Sequence, residues 1–226
     1  MPDALVRCEG VSRTFGRGVA ATVALEPTTC HIAAGDRIAL MGRSGSGKST
    51  LLHLMAGLDT PTAGTLTWPT IGDPRSPGAR GRVAVVFQGP SLLAPLTVLE
   101  NAALPLILAG ATDAVARERA RDALAQLALE ELADKLPEEI SGGQAQRAAI
   151  ARALAGEPLL ILADEPTGQL DRDNAEIVIT LLLEAAQHAG AGLLVTTHDP
   201  AVAAHLPTRW EMHSGRLSHP VASCSS

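Results

Sequence analysis

The segment Gly42-Arg43-Ser44-Gly45-Ser46-Gly47-Lys48-Ser49 carries the clearest chemistry in this 226-residue chain. It fits G-x-x-x-x-G-K-S/T, a pattern expected by chance in about 1% of chains this long. Gly42, Gly45 and Gly47 let the backbone curl so that its N–H groups point inward at phosphate oxygens. The helix that should follow adds partial positive charge at its N-terminus. Lys48 supplies a point charge for β- and γ-phosphates, and Ser49 an oxygen for Mg²⁺. Such a loop needs an acidic strand end, and the apolar run Leu159–Ala163 ends in Asp164. Glu165 follows and is placed to polarise an attacking water. A second anion-binding helix terminus is encoded by Ser141-Gly142-Gly143-Gln144: Ser141 suits an N-cap and the two glycines leave amides open. Taken alone, that segment reads more readily as a plain cap.

These groups must be held by strands and helices. Arg37–Met41 and Val83–Phe87 are short apolar runs, read as buried strands, as are Leu159–Leu162 and Leu193–Thr196. Residues 3–9 and 23–32 alternate like strands, with a turn at Gly16-Arg17-Gly18. Helices are expected from Lys48 to Gly57, over 112–135 with Thr112 or Asp113 as cap, from Ser141 to Gly156, and from Asn174 to His188. Val98 to Ala111 is read as an apolar loop broken by Glu100, Asn101 and Pro105. Residues 58–82 are read as turns and short strands. Arg209 to Leu217 suggests a closing hairpin that turns at Ser214-Gly215. Alternating strands and helices predict an α/β fold.

Composition narrows the partners. Lys and Arg number 18 and Asp and Glu 24, a net charge of −6 without a basic block. That argues against a dedicated nucleic-acid binder. Phe15, Trp68, Phe87 and Trp210 are all the aromatic residues, and there is no Tyr, so base-stacking platforms are excluded. Cys8, Cys30 and Cys224 lack metal-site or disulfide spacing, as expected of a reducing compartment. No signal peptide or transmembrane stretch is read.

In order and spacing, the chain from about Leu5 to Leu217 resembles the nucleotide-binding subunit of ABC transporters. Gly42–Ser49 matches Walker A, and Leu159–Asp164 Walker B. Glu165 stands at the catalytic glutamate position. Ile140–Gln144 matches the LSGGQ signature, with Ile for Leu. Gln88 matches the Q-loop glutamine, His198 the switch histidine and Gly168–Asp171 the D-loop. Phe15 lies where the family places an adenine-stacking aromatic.

The resemblance implies an ATPase with a P-loop NTPase three-layer α/β core, an antiparallel β subdomain and an inserted α-helical subdomain. The core would comprise 1–88 and 158–217 and the helical part 89–157, with a loose tail at 218–226. It implies ATP and Mg²⁺ as cofactors. Glu165, His198 and Gln88 would be catalytic, and Ser49, Gln88 and Asp164 would serve the metal. Nucleotide would contact Phe15, Gly42, Ser44, Gly45, Ser46, Gly47, Lys48, Ser49 and Thr50. It would also contact Ser141, Gly142, Gly143, Gln144 and Asp171.

Two cassettes, as a homodimer or pseudo-dimer, would sandwich two ATP and drive an integral membrane transporter subunit. The location would be the cytoplasmic face of the plasma membrane. The runs Ala163–Asp171 and His53–Asp59 look most like the lipoprotein-releasing and macrolide-exporter group, although Gln169 stands where that group has Asn. An ATP-switched regulatory or cell-division module fits the same motifs. A chromosome-structure ATPase does not: only 116 positions separate Lys48 from Asp164, with no sustained heptads. A P-loop kinase would leave Ser141–Gln144, Gln88 and His198 unexplained.

Overall fold

The computed structural model describes residues 4–218. Its first sheet is antiparallel, with the order β2-β1-β4 formed by β1 (Ala4–Phe15), β2 (Thr22–Ala33) and β4 (Ala63–Thr67). The second sheet contains β3 (Arg37–Met41), β5 (Val83–Val86), β6 (Leu160–Asp164), β7 (Gly192–Thr197), β8 (Thr208–His213) and β9 (Arg216–Ser218). Its order is β5-β6-β7-β3-β8-β9, parallel except for the final β8–β9 hairpin. Helices α1 (Lys48–Met55), α2 (Val98–Leu108), α3 (Asp113–Gln126), α4 (Gly142–Leu154), α5 (Arg172–His188) and α6 (Pro200–Ala203) complete the fold.

The period-two alternation of the central strands builds three layers. Ile161, Ala163, Leu193 and Val195 face α2–α5, burying Leu99, Leu124, Ile150 and Leu182. Their neighbours Leu160, Leu162 and Leu194 face the other way, against Leu51, Leu52 and Met55 of α1 and Val6, Cys8 and Ile32 of the antiparallel sheet. The expected three-layer P-loop architecture is therefore present, with an antiparallel part and a cluster of helices.

Several elements depart from the sequence expectation. Val98–Leu108 is a helix, not a loop. Glu100 starts it rather than breaking it: Thr97 accepts from the Glu100 N–H and the Glu100 carboxylate accepts from the Thr97 N–H, a capping box. Asn101 is fully buried and secures the preceding loop. Its side chain accepts from the Leu93 N–H at 2.7 Å and donates to the carbonyls of Leu93, Leu96 and Thr97. Pro105 costs the helix one backbone donor without ending it.

The helix expected over 112–135 stops at Gln126. Ala128 takes a left-handed φ of 52°, and the Leu129 N–H returns to the Leu124 carbonyl, a Schellman closure. A 3-10 turn follows at Glu130–Leu132. Helix α4 ends at Leu154, two residues before the expected Gly156, and the left-handed residue that follows is Glu157 (φ 50°). The strands of the first sheet run longer than expected, and α5 starts two residues earlier, at Arg172. In 58–82 a strand, β4, and a 3-10 turn at Pro77–Ala79 are formed. The hairpin at Ser214-Gly215 forms as expected. Ser218 lies in β9 rather than in a loose tail, and 219–226 fall outside the described residues. Among the described residues no helix is long and apolar enough to cross a membrane.

Candidate active site

β3 delivers the chain into the glycine loop, and α1 leaves it. A Cβ on Gly42 would collide with the Met212 carbonyl and lie 2.6 Å from Ser46 Oγ, so the loop admits no side chain there. Gly47, the N-cap of α1, has φ 106°, and its Cβ position is 2.5 Å from the Ala24 carbonyl. Glycine is required there by both conformation and space.

Lys48 is 4% exposed, and its ammonium donates to the carbonyls of Gly42 (2.8 Å) and Arg43 (3.2 Å). It also lies 3.2 Å from Glu165 Oε1. The pairing β6–β7–β3 brings the C-terminal ends of these strands together, which is where parallel α/β sheets place their sites. Ser49 Oγ donates to Asp164 Oδ1 at 3.0 Å, and Thr196 Oγ1 donates to the same oxygen at 2.6 Å. The Glu165 N–H is accepted by both Thr196 Oγ1 (3.0 Å) and the Thr196 carbonyl (3.1 Å). Glu165 has a left-handed φ of 45°. For a non-glycine residue that is strain of about 1–3 kcal/mol, and the two Thr196 acceptors hold it. His198 Nδ1 lies 2.9 Å from Glu165 Oε2, so the Glu165 carboxylate spans Lys48 and His198.

These groups line one cleft of about 820 Å³, bounded by Arg43–Thr50, Gln88, Asp164, Glu165, His198 and Ala24. The structure thus gathers the glycine loop from Arg43 to Ser49 and the four polar groups expected beside it, Gln88, Asp164, Glu165 and His198. A Cβ on Gly168 would sit 3.1 Å from Gln88 Nε2, so the turn after Glu165 packs on Gln88.

Three expected site features lie elsewhere. Phe15 is 45% exposed at the end of β1, with the Arg13 guanidinium 4.6 Å from its ring centroid. Ser141 caps α4 in a full capping box with Gln144: Ser141 Oγ accepts from the Gln144 N–H, and the Gln144 amide oxygen accepts from the Ser141 N–H. Asp171 caps α5, accepting from the backbone (2.9 Å) and side chain (2.7 Å) of Asn174. Those bonds, the backbone one foremost, hold the Asp171 carboxyl below its ordinary range. None of the three lines the cleft. Ser141–Gln144 and Asp171 do meet each other's helices, since a Cβ on Gly143 would lie 2.8 Å from Asn174 Oδ1.

Sequence reasoning missed Thr196, a hydroxyl with no exposure that holds both acidic residues. A threonine inside an otherwise apolar buried strand was the available signal.

The oxygen donors Ser49 and Asp164 are hard ligands suited to Mg²⁺, which typically takes only one or two protein groups and completes its shell with phosphate and water. No cluster of three or more His, Cys, Asp or Glu that could hold a metal occurs among the described residues.

A phosphate loop leading from a parallel strand into a helix, with two acidic residues at the end of β6, one strand removed from β3, is the arrangement of a P-loop ATPase. The model of the family described as ABC transporter matches residues 25–168. The lipoprotein-releasing system ATP-binding protein LolD of Chromohalobacter salexigens is 39% identical over 222 residues, covering 96% of this chain and 94% of that protein. The dimeric post-hydrolysis structure of the ATP-binding cassette MJ0796 bound to ADP and Pi matches with a TM-score of 0.84 at 35% identity. That match covers 95% of this chain and 98% of the cassette. CbiO1 from Clostridium perfringens, part of the transporter complex cbiONQ, matches with a TM-score of 0.83 at 28% identity over 96% and 87% of the two chains. This chain belongs to the ABC transporter family and is one of its ATPase domains.

Proposed function

We propose that this chain is the ATP-hydrolysing subunit of a lipoprotein-releasing type of export complex, working as a dimer against a separate membrane subunit. The observation that carries the reading is a division of labour within one chain. Lys48, Asp164, Glu165, His198 and Gln88 converge on a single cleft, while the second helix terminus, Ser141–Gln144, lies outside it. Two phosphate-facing termini that do not share a cleft suit a head-to-tail pair in which each nucleotide is held by the loop of one copy and Ser141–Gln144 of the other. The dimeric MJ0796 structures and the 39% identity to LolD support that arrangement.

In this reading Gly42, Ser44, Gly45, Ser46 and Gly47 wrap the phosphates, and Thr50 continues the cradle on α1. Phosphate oxygens would compete with Glu165 for the Lys48 ammonium. Ser49 and Asp164 would hold Mg²⁺, which when bound offsets phosphate charge. Glu165, held by Thr196 and aligned by His198, would orient the attacking water and accept its proton. Gln88 would report the phosphate end of the cleft to the segment that follows it, and Asp171 would reach the partner copy. Residues 89–157 would form the helical subdomain that meets the membrane subunit at the cytoplasmic face. The core would comprise 1–88 and 158–217.

The test is Glu165→Gln with Mg²⁺ and ATP on size-exclusion chromatography. A shift from monomer to a stable ATP-dependent dimer is expected. A monomer at saturating ATP would overturn the dimer reading. Purification with its membrane subunit decides between export and a regulatory role: lipoprotein release from vesicles stimulated by ATP supports the first, and ATP hydrolysis without release the second.

A further inference from the structure

The segment carrying Gln88 is gripped from both sides by one helix. Gln146 Nε2, on α4, donates to the Phe87 carbonyl at 3.1 Å. Less than two turns further along the same helix, Arg152 donates to the Ser91 carbonyl (2.8 Å), the Ser91 hydroxyl (2.9 Å) and the Pro90 carbonyl (3.3 Å). Arg152 is partly buried, and its forked donors meet three oxygens that a single point charge could not reach together. Ser91 is itself in left-handed backbone (φ 43°), a conformation that ordinary residues hold only when their surroundings impose it. Gln88 therefore sits between two anchor points, both supplied by the helix that begins at Ser141.

We infer that Arg152 is a positioning residue that clamps the Gln88 loop to α4, so that Gln88 and the Ser141–Gln144 terminus move as one body. The inference rests on the reading of Gln88 as a group that faces the phosphate end of the cleft. It adds that the loop has no independent motion relative to α4. Any displacement of the segment after Gln88 is passed to the helix terminus at the other end of α4 through Arg152 and Gln146, without rearrangement of the sheet. Arg152 does not line the cleft, so in this proposal its effect on turnover runs through Gln88.

A double-mutant cycle tests this. Steady-state hydrolysis is measured for the wild type, Arg152→Met, Arg152→Lys, Gln88→Ala and the Gln88→Ala/Arg152→Met pair. Arg152→Met is expected to lower kcat about tenfold with KM for ATP within about twofold, the split that marks a loss of alignment rather than of binding. Arg152→Lys should recover part of the loss. In the Gln88→Ala background Arg152→Met should cost less than about twofold. Hydrogen exchange at 88–92 should accelerate in Arg152→Met while β6 and β7 stay protected. An undiminished tenfold loss in the Gln88→Ala background, or an unchanged kcat in Arg152→Met, overturns the proposal. Should Arg152→Met fail to fold, Arg152→Lys and Ser91→Ala carry the same cycle. Failure of the underlying site is seen separately, as hydrolysis that survives Glu165→Gln; the exchange measurement still reports on the clamp in that case.

Discussion

Glu165 touches Lys48. Their 3.2 Å contact pairs the glycine-loop cation with the carboxylate that follows β6, so under the proposed function a phosphate would compete with Glu165 for Lys48. Removing the Glu165 charge should therefore do two opposite things. Turnover in Glu165→Gln should fall about 10²–10⁴-fold through loss of the base. ATP affinity should hold or rise, because Lys48 no longer has a carboxylate to leave. Single-turnover hydrolysis and equilibrium nucleotide binding separate the two. Turnover within threefold of wild type would remove Glu165 from the chemistry.

Phe15 is the exposed ring to which the family resemblance gives the adenine, and the Arg13 guanidinium lies 4.6 Å from its centroid. Stacking of a base on an aromatic ring is worth about 1–3 kcal/mol, so Phe15→Ala should weaken ATP binding about fivefold or more. kcat at saturating ATP should be little changed. Titration with a fluorescent nucleotide reads the effect, and an unchanged affinity places the adenine elsewhere.

Asn101 has no exposure and makes four hydrogen bonds to the backbone of 93–97. Asn101→Leu would strand those backbone groups. It should cost about 3 kcal/mol of unfolding free energy, given about 1–3 kcal/mol for each unsatisfied buried group and some recovery by water. Urea unfolding measures this; a loss under 0.5 kcal/mol by the same scale would show that the loop re-pairs itself.

Three capping carboxylates make part of the fold's stability acid-sensitive. Asp171, Glu100 and Glu139 are each held below their ordinary values chiefly by a backbone N–H, from Asn174, Thr97 and Leu136 respectively. Their folded values are depressed, so the unfolded chain binds protons first as pH falls. The stability they contribute is fully present above the ordinary values of 3.8 and 4.5 and is lost as pH drops through the lower folded ones. The urea midpoint should decline below about pH 4.5, and Asp171→Asn should lessen that decline. A midpoint that rises on acidification contradicts the assignment.

The loop Gly42–Ser49, the carboxylates Asp164 and Glu165 and the cap Ser141 were legible because each is a local pattern: a turn that needs glycine, a strand that ends in acid, a helix that starts on serine. α2 was not legible, because Glu100, Asn101 and Pro105 look like interruptions until their partners are known. Two of them bond to backbone a few residues upstream, which turns polar residues in an apolar run into the start of a helix. Thr196 left a faint mark, a threonine in an apolar buried strand, and Arg152 none: each bonds to groups far along the chain (Glu165 for Thr196, Ser91 for Arg152) that the sequence does not place beside it.

The position of β3 in its sheet has a consequence for synthesis. Its two neighbours, β7 and β8, are built from Gly192–Thr197 and Thr208–His213, far along the chain from it. An emerging chain therefore carries its complete phosphate loop before either partner of the strand that aims this loop has been made. A product truncated before Gly192 would own every residue of Gly42–Ser49 and leave β3 without a neighbour on either side.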